Sequence, residues 1–368
     1  MKQGKTMIQL AQELERQRST RKDYVADTRN LTISTDRGMS FLTLSLEGNS
    51  EVFMVNDLAH RQIADRLQIP VKYYNKMRYE YPSLLDKNVN SWFHQSPERP
   101  MLRTLDGNAR AFLSDRYRRL DNLELADTIF PLLQEMNGVE VISSEITETH
   151  MYLKVINRKM KAEVSPGDVV QAGIVISNSE VGLGSLKVEP LLYRLVCKNG
   201  LIVKDYAQKR YHVGKQIESG DSAYEIFSDE TLEQDDKAFF MKVQDTVRTA
   251  IDEVKFNLSI DKLRATMSES TGDDPIKAVE LLVDRHSLGQ NERGSVLRHF
   301  IMNGENTTFG LIHAVTRTSQ DMEDYSKATE LERLGGELLA NSNTAKNSLF
   351  SPLPIFNRQR PLELVSNQ

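Results

Sequence analysis

A chain of 368 residues with 39% hydrophobic and 27% charged side chains has the length of about two soluble domains. No apolar run approaches the roughly 18 residues a membrane helix needs. The opening MKQGKTMIQLAQELERQRSTRKDY holds no apolar signal core, and one cysteine excludes an intramolecular disulfide, so a cytoplasmic protein without a membrane partner is expected. The net charge of −5 is unevenly spread. Residues 1–120 carry 20 Lys and Arg against 14 Asp and Glu, residues 121–220 carry 11 against 13, and residues 221–368 carry 16 against 25. A basic front and an acidic back suggest one face that meets an anionic partner.

In chain order, residues 8–19 have helical spacing and run into the basic RQRSTRK. LTISTDRGMSFLTLSLEGNSEVFMV (31–55) reads as short strands broken at DRG and EGN turns. NDLAHRQIADRLQ predicts a helix with Asn56 as its N-cap, and Pro70 suits the first turn of a second helix over VKYYNKMRYEY. Residues 101–114 predict a hairpin about Asp106-Gly107. DNLELADTIFPLLQEM is a helix that Pro131 either kinks or restarts. Four β-branched segments follow, VEVISSEITET, HMYLKVINRKMKAEV, DVVQAGIVISNS and SLKVEPLLYRLVC, and they predict a four-stranded antiparallel meander.

Helices are expected over 231–268, 275–286, 291–302 and 321–340, with an extended or flexible tail over 341–368. The fold class is therefore α+β, a central antiparallel meander with flanking helices and a mainly helical C-terminal region. The expected units are 1–55 (helix and short strands), 56–220 (the α+β core), 221–340 (helical) and the tail.

The stretch GIVISNSEVGLGSLKVEPLLYRLVCKNGLIV (173–203) invites three chemical readings. Gly182-Leu183-Gly184 lacks the third glycine of a dinucleotide loop, and no Gly-Lys-Ser/Thr is present. Ser177 and Ser179 do not sit in a Gly-x-Ser-x-Gly elbow. Cys197, at the end of an apolar strand, reads as a small packed residue rather than a thiolate. A flexible hairpin tip is the reading retained. The seven histidines form no His-x-x-x-His pair, so neither a metal nor another cofactor is expected, and no catalytic residue is assigned.

Two segments interleave cations with rings. RTLDGNARAFLSDRYRRLDN offers Arg103, Arg110, Arg116, Tyr117, Arg118 and Arg119, and KDYAQKRYHVGK offers Lys204, Lys209, Arg210, Tyr211 and Lys215. Cations that follow a phosphate backbone beside rings on which bases stack are what a single-stranded nucleic-acid groove requires. The competing reading pairs these arginines with the abundant carboxylates and packs the tyrosines. HRQIADRLQIPVKYYNKM separately matches the apolar spacing of a helix-turn-helix, with Gln68 at the turn position where glycine is usual.

QIADRLQIPVKYYNKM, NVNSWF, RAFLSDRYRRLDN, VISNSEVGLGSLKVEPLLYRLVCKNGL and LIHAVTRTSQDMEDYSKATELERLGG together resemble the phage/plasmid-like proteins of domain of unknown function 932, across roughly residues 56–338. The resemblance implies a phage, prophage or plasmid setting and no particular activity. The order of helix 122–136, meander and helix is also similar to the core of single-strand annealing recombinases, an analogy of fold alone. The expected function is a non-catalytic single-stranded DNA-binding protein, promoting annealing or recombination as a homo-oligomer. The alternative is a protein-interaction factor that acts on a host protein, for example in counter-defence, through the acidic half. An enzyme acting at NSEVGLGS is the third reading.

Overall fold

The computed structural model describes residues 1–342 apart from 47, 116, 118, 185, 204–228 and 251–252, and for residues 229–233, 235 and 236 it describes the backbone alone. Two sheets organise these residues. The first has six strands, β1 (Lys22–Val25), β2 (Leu31–Asp36), β3 (Met39–Leu46), β4 (Asn49–Val55), β5 (Met101–Leu105) and β6 (Asn108–Leu113), in the order β1-β5-β6-β4-β3-β2. Only the β4–β6 pair is parallel. The hairpins turn where the sequence predicts: Arg37-Gly38 and Asp106-Gly107 both hold two successive left-handed residues, the conformation that matches strand twist.

Three helices cover one face of this sheet, α2 (Asp57–Arg66), α3 (Val71–Glu80) and α4 (Pro82–Gln95). Asn56 caps α2 as expected, its side chain accepting from the Ala59 N–H. The core between helices and sheet contains Ile33, Leu42, Phe53, Ile63, Tyr74 and Phe93. Strand β2 is an edge, and α4 satisfies it with side chains. Asn90 accepts from the Ile33 N–H at 2.8 Å and donates to the Ile33 carbonyl at 2.9 Å, while Asp86 accepts from the Thr35 N–H at 2.9 Å. An edge treated in this way is closed to pairing with another chain.

The second sheet contains the predicted meander of β7 (Val139–Ile146), β8 (Met151–Ser165), β9 (Asp168–Asn178) and β10 (Lys187–Arg194), extended by β11 (Asn199–Ile202). Every neighbouring pair is antiparallel. Strand β9 is buried along almost its whole length because helices cover both faces, which is why its sequence is a continuous apolar run. Helices α1 (Met7–Thr20), α5 (Asn122–Glu135) and α6 (Asp229–Ala250) pack Leu10, Ile129, Leu133 and Val247 against Leu153, Ile174 and Ile176. Pro131 lies inside α5 without interrupting it.

Helices α7 (Glu253–Ala265), α8 (Pro275–His286), α9 (Gln290–Asn303), α10 (Thr308–Thr318) and α11 (Tyr325–Asn341) build a further core with Val170, Ala172, Leu192 and Leu201. Helices α6 and α7 both fall within the span expected to be helical from 231 to 268, and α10 was not expected. The α+β class holds. Among the described residues no helix is long and apolar enough to cross a membrane.

Candidate nucleic-acid interface

The NSEVGLGS segment joins β9 to β10 as a hairpin connection with Gly182, Leu183 and Gly184 exposed, but its first residues are not a solvated tip. Asn178, Ser179, Glu180 and Val181 are all buried, because the segment is wedged between the two sheets. Gln62 of α2 donates to the Val181 carbonyl (2.8 Å) and accepts from the Phe112 N–H (2.8 Å), and the Tyr117 hydroxyl donates to the Ser179 carbonyl (3.1 Å). Asn178 donates to Asn122 Oδ1 at 2.8 Å. Helix α5 has no side-chain cap from its own N-cap, Asp121. The Glu180 carboxylate supplies one instead, accepting from the Asn122 N–H at 2.7 Å, where the helix dipole favours an anion.

Around Glu180 the charges balance in pairs. Arg103, 1% exposed, donates to both oxygens of Asp23 (2.9 and 3.1 Å), to Asp121 (2.5 Å) and to the Glu180 carbonyl (2.9 Å). Arg110 meets Glu180 at 3.0 Å, and Arg21 meets Asp121 at 2.9 Å. Burial alone would lower the Arg103 pKa, but Asp121 and Asp23 outweigh it and hold the guanidinium charged. Unpaired charges at this depth would be costly, so the network locks the two sheets together.

This placement corrects two of the sequence-predicted contacts. Arg103 and Arg110 are interior ion-pair partners and cannot reach a phosphate backbone. Tyr117 is half-buried, its hydroxyl already engaged, and burial pushes its pKa up. Arg119 stays exposed, 3.5 Å from Asp23. Arg116, Arg118, Lys204, Lys209, Arg210, Tyr211 and Lys215 lie outside the described residues. Cys197 is also corrected: it sits half-buried in the turn between β10 and β11, not in a packed strand. Among the described residues no three His, Cys, Asp or Glu converge as metal ligands.

A second group of cations and rings lies on the segment that the sequence offered only as the second helix of a helix-turn-helix. Helix α3 follows α2 after a short turn in which Gln68 takes the left-handed conformation at φ 55°. Its inner face buries Tyr74, Met77 and Arg78. Arg78 donates to the Gly38 carbonyl (2.7 Å) and to Asp57 (2.7 Å), fixing the helix on the β2–β3 turn. Tyr74 meets His60 Nδ1 at 2.9 Å, and burial beside Arg78 lowers the pKa of His60 to about 3.

The outer face of α3 therefore presents Lys72, Tyr73, Lys76 and Tyr79, at the spacings that align residues on one side of a helix. The Tyr79 ring, 62% exposed, lies against Gly38, and the Arg78 guanidinium is 5.1 Å from its centroid. Tyr81, Trp92 and Lys87 are exposed on and beside α4, and Arg37 is exposed at the β2–β3 turn. Arg37, Lys72, Lys76 and Lys87 form no ion pair among the described residues. The signal was present in VKYYNKMRYEY, where Lys and Tyr alternate at helical spacing.

A family model described as Domain of unknown function (DUF932) matches residues 110–320. The matched segment begins inside β6 and leaves α2–α4 outside it. No curated protein and no solved structure matches the chain.

Proposed function

Since the chain belongs to the family of domain of unknown function 932, whose description names no reaction, we propose on the evidence of its own surfaces that it binds single-stranded DNA, through the outer face of α3 and α4. One observation carries the reading: Arg37, Lys72, Lys76 and Lys87, unpaired among the described residues, are exposed on α3, α4 and the β2–β3 turn, and the rings of Tyr73, Tyr79, Tyr81 and Trp92 are exposed on and between the same helices. Free cations gain most from displacing counterions along a phosphate backbone, because they give up no internal partner. Exposed rings give every base a surface to stack on, so the binding tolerates sequence. Arg119, together with Arg116, Arg118 and the 204–215 cations, extends the proposed contact set. A non-catalytic role in annealing or recombination of a mobile element, carried out by a homo-oligomer in the cytoplasm, fits this chemistry.

The helix–turn–helix geometry of α2 and α3, with Gln68 left-handed at the turn, favours a second reading in which α3 enters a duplex major groove. Fluorescence anisotropy with a labelled oligonucleotide, single-stranded and annealed to its complement, separates the two. Single-strand binding tighter than duplex binding, and weakened by Tyr73→Ala, supports the proposal. Duplex preference selects the second reading, and no binding to either removes both.

A further inference from the structure

Beside the turn into α3 lies a cavity of about 390 Å³, within the range of small-ligand pockets. Phe93 and Phe112 border it as a stacked pair, 5.8 Å between centroids and 12° from parallel. Trp92 forms a wall and remains 49% exposed, although its neighbour Phe93 is buried. The polar rim is Gln68, Ser96 and Glu98, with Arg66 paired to Glu98. Thr28 anchors this rim by accepting from the Glu98 N–H (3.1 Å) and donating to the Phe93 carbonyl (2.8 Å).

We propose that this cavity receives one unstacked nucleobase of the bound strand, with Trp92 as its stacking wall. The proposal rests on the single-strand reading above and specifies its ligand. A base has two apolar faces and an edge of donors and acceptors, and the cavity offers aromatic surface with an amide, a hydroxyl and a carboxylate at its rim. The one cation at the rim among the described residues, Arg66, is already paired with Glu98, so the lining offers a phosphate no free counter-charge and it is the base and not the backbone that enters. Arg66 Nε engages Glu98 Oε2, which leaves Oε1 to accept from an exocyclic amine. Cytosine carries such a donor on its pairing edge and thymine does not, so the cavity favours deoxycytidine over thymidine. Gln68 holds its side chain at this rim from a left-handed backbone that glycine would adopt at lower cost.

Trp92 is the only tryptophan in the chain, so its emission reports on the cavity directly. The full chain is titrated with a labelled deoxycytidine oligomer, a thymidine oligomer and an abasic oligomer of equal length. Anisotropy reads total binding and indole emission reads the cavity. Expected are quenching by deoxycytidine with the same midpoint as the anisotropy, and binding of the abasic oligomer without quenching. Trp92→Ala is expected to weaken deoxycytidine binding about 5- to 150-fold, the range of one lost base–ring stack. Glu98→Gln and Gln68→Gly should narrow the preference over thymidine. Binding seen by anisotropy with unchanged emission, or equal quenching by the abasic oligomer, overturns the base cavity and leaves the single-strand reading in place. Absence of any anisotropy change removes that reading and the cavity assignment with it.

Discussion

The six-stranded sheet beneath α2–α4 leaves Lys72, Lys76 and Lys87 in solvent without partners among the described residues, whereas the five-stranded sheet takes Lys154 into its interior and closes Glu332 of α11 over it at 2.6 Å. Both members of that pair have fully buried side chains, and the Lys154 ammonium lies 4.6 Å from the centroid of the Tyr325 ring. Nearby, Arg333 clamps Glu189 at 2.7 Å. The same residue type thus does two different things in one chain. In the second sheet a cation is bound to its own fold, and removing it exposes an orphaned carboxylate. In the first, cations are held on rigid helices and their counter-charge must come from outside. Sequence cannot tell these classes apart, because both are a Lys or Arg among aromatics.

The strongest way to break this comparison is Lys154→Ala. Burial pulls the Lys154 pKa down while Glu332 opposes it, so the pair survives only as a pair. Loss of one partner should destabilise the fold by about 3–5 kcal/mol in urea unfolding. Lys154→Met combined with Glu332→Leu should recover most of that loss, since apolar residues of similar volume avoid the buried charge altogether. A single substitution that leaves the unfolding midpoint unchanged would show that Lys154 is as free as Lys72.

Acid tests whether both regions share one weakness. His60 under the first sheet's helices and His313 in α10 are both buried, and for each burial is the main cause that lowers the pKa from 6.5 to about 3. The folded pKa lies below the unfolded one, so between pH 6.5 and 3 the unfolded chain binds more protons. Stability is then complete above pH 6.5 and falls with pH through that window, by at most about 1.4 kcal/mol per pH unit for each histidine. Neither ring nitrogen of His313 has a hydrogen-bond partner among the described residues, so His313→Phe sacrifices none of the hydrogen bonds seen there. It should flatten the acid slope of urea-measured stability while leaving pH 8 stability nearly unchanged. An unaltered slope would assign acid sensitivity to His60 or to the carboxylate networks.

The face of α3 gives smaller effects of another kind. Lys72→Ala with Lys76→Ala should reduce the slope of log affinity against log salt by about 0.7 for each lysine that contacts a phosphate. Stability should stay within about 0.5 kcal/mol, since neither side chain has a partner among the described residues. Arg103→Ala is the control, because it should destabilise the fold first and weaken binding only through misfolding. If Lys72 and Lys76 leave the slope untouched while Arg119→Ala lowers it, the contact path runs along residues 116–119 instead.

What the sequence made legible follows from locality. The Asn56 cap, the Asp106-Gly107 turn and the meander from 139 to 194 are each written in a few adjacent residues, and the structure has all three. Helix α10 was missed because nearly every residue from Thr308 to Thr318 is buried, which erases the helical period. Strand β11 is four residues long, too short for alternation to register. The joining of strands 31–55 to the hairpin 101–113 through β4 and β6 is a non-local contact with no local trace. Two of the expected contacts were misread for the same reason. Arg103 and Arg110 look like phosphate ligands until Asp23 and Glu180 arrive from 80 and 70 residues away.

Cys197 gives the smallest effect and bears on the same distinction between position and neighbours. The apolar YRLV before it suggests a packed strand end, for which serine would cost about 1–3 kcal/mol as a poorly satisfied hydroxyl. In the structure the strand ends at Arg194, and Lys198 turns left-handed at φ 53° to begin β11. What the turn contributes is backbone: the Cys197 carbonyl accepts from Arg317 (3.1 Å) and Gln320 (2.9 Å), which tie the hairpin to α10 and the residues that follow it. Serine keeps that carbonyl and can hydrate its hydroxyl, so Cys197→Ser should stay within about 0.5 kcal/mol of the parent in urea unfolding. Partial burial pushes the thiol pKa up, so labelling by a thiol reagent near pH 7 should be slower than for a free cysteine peptide. Arg317→Ala together with Gln320→Ala, which removes the anchors instead of the sulfur, should cost more than the cysteine change. The reverse order would mean that the sulfur, and not the backbone of the turn, holds β11 against the helices.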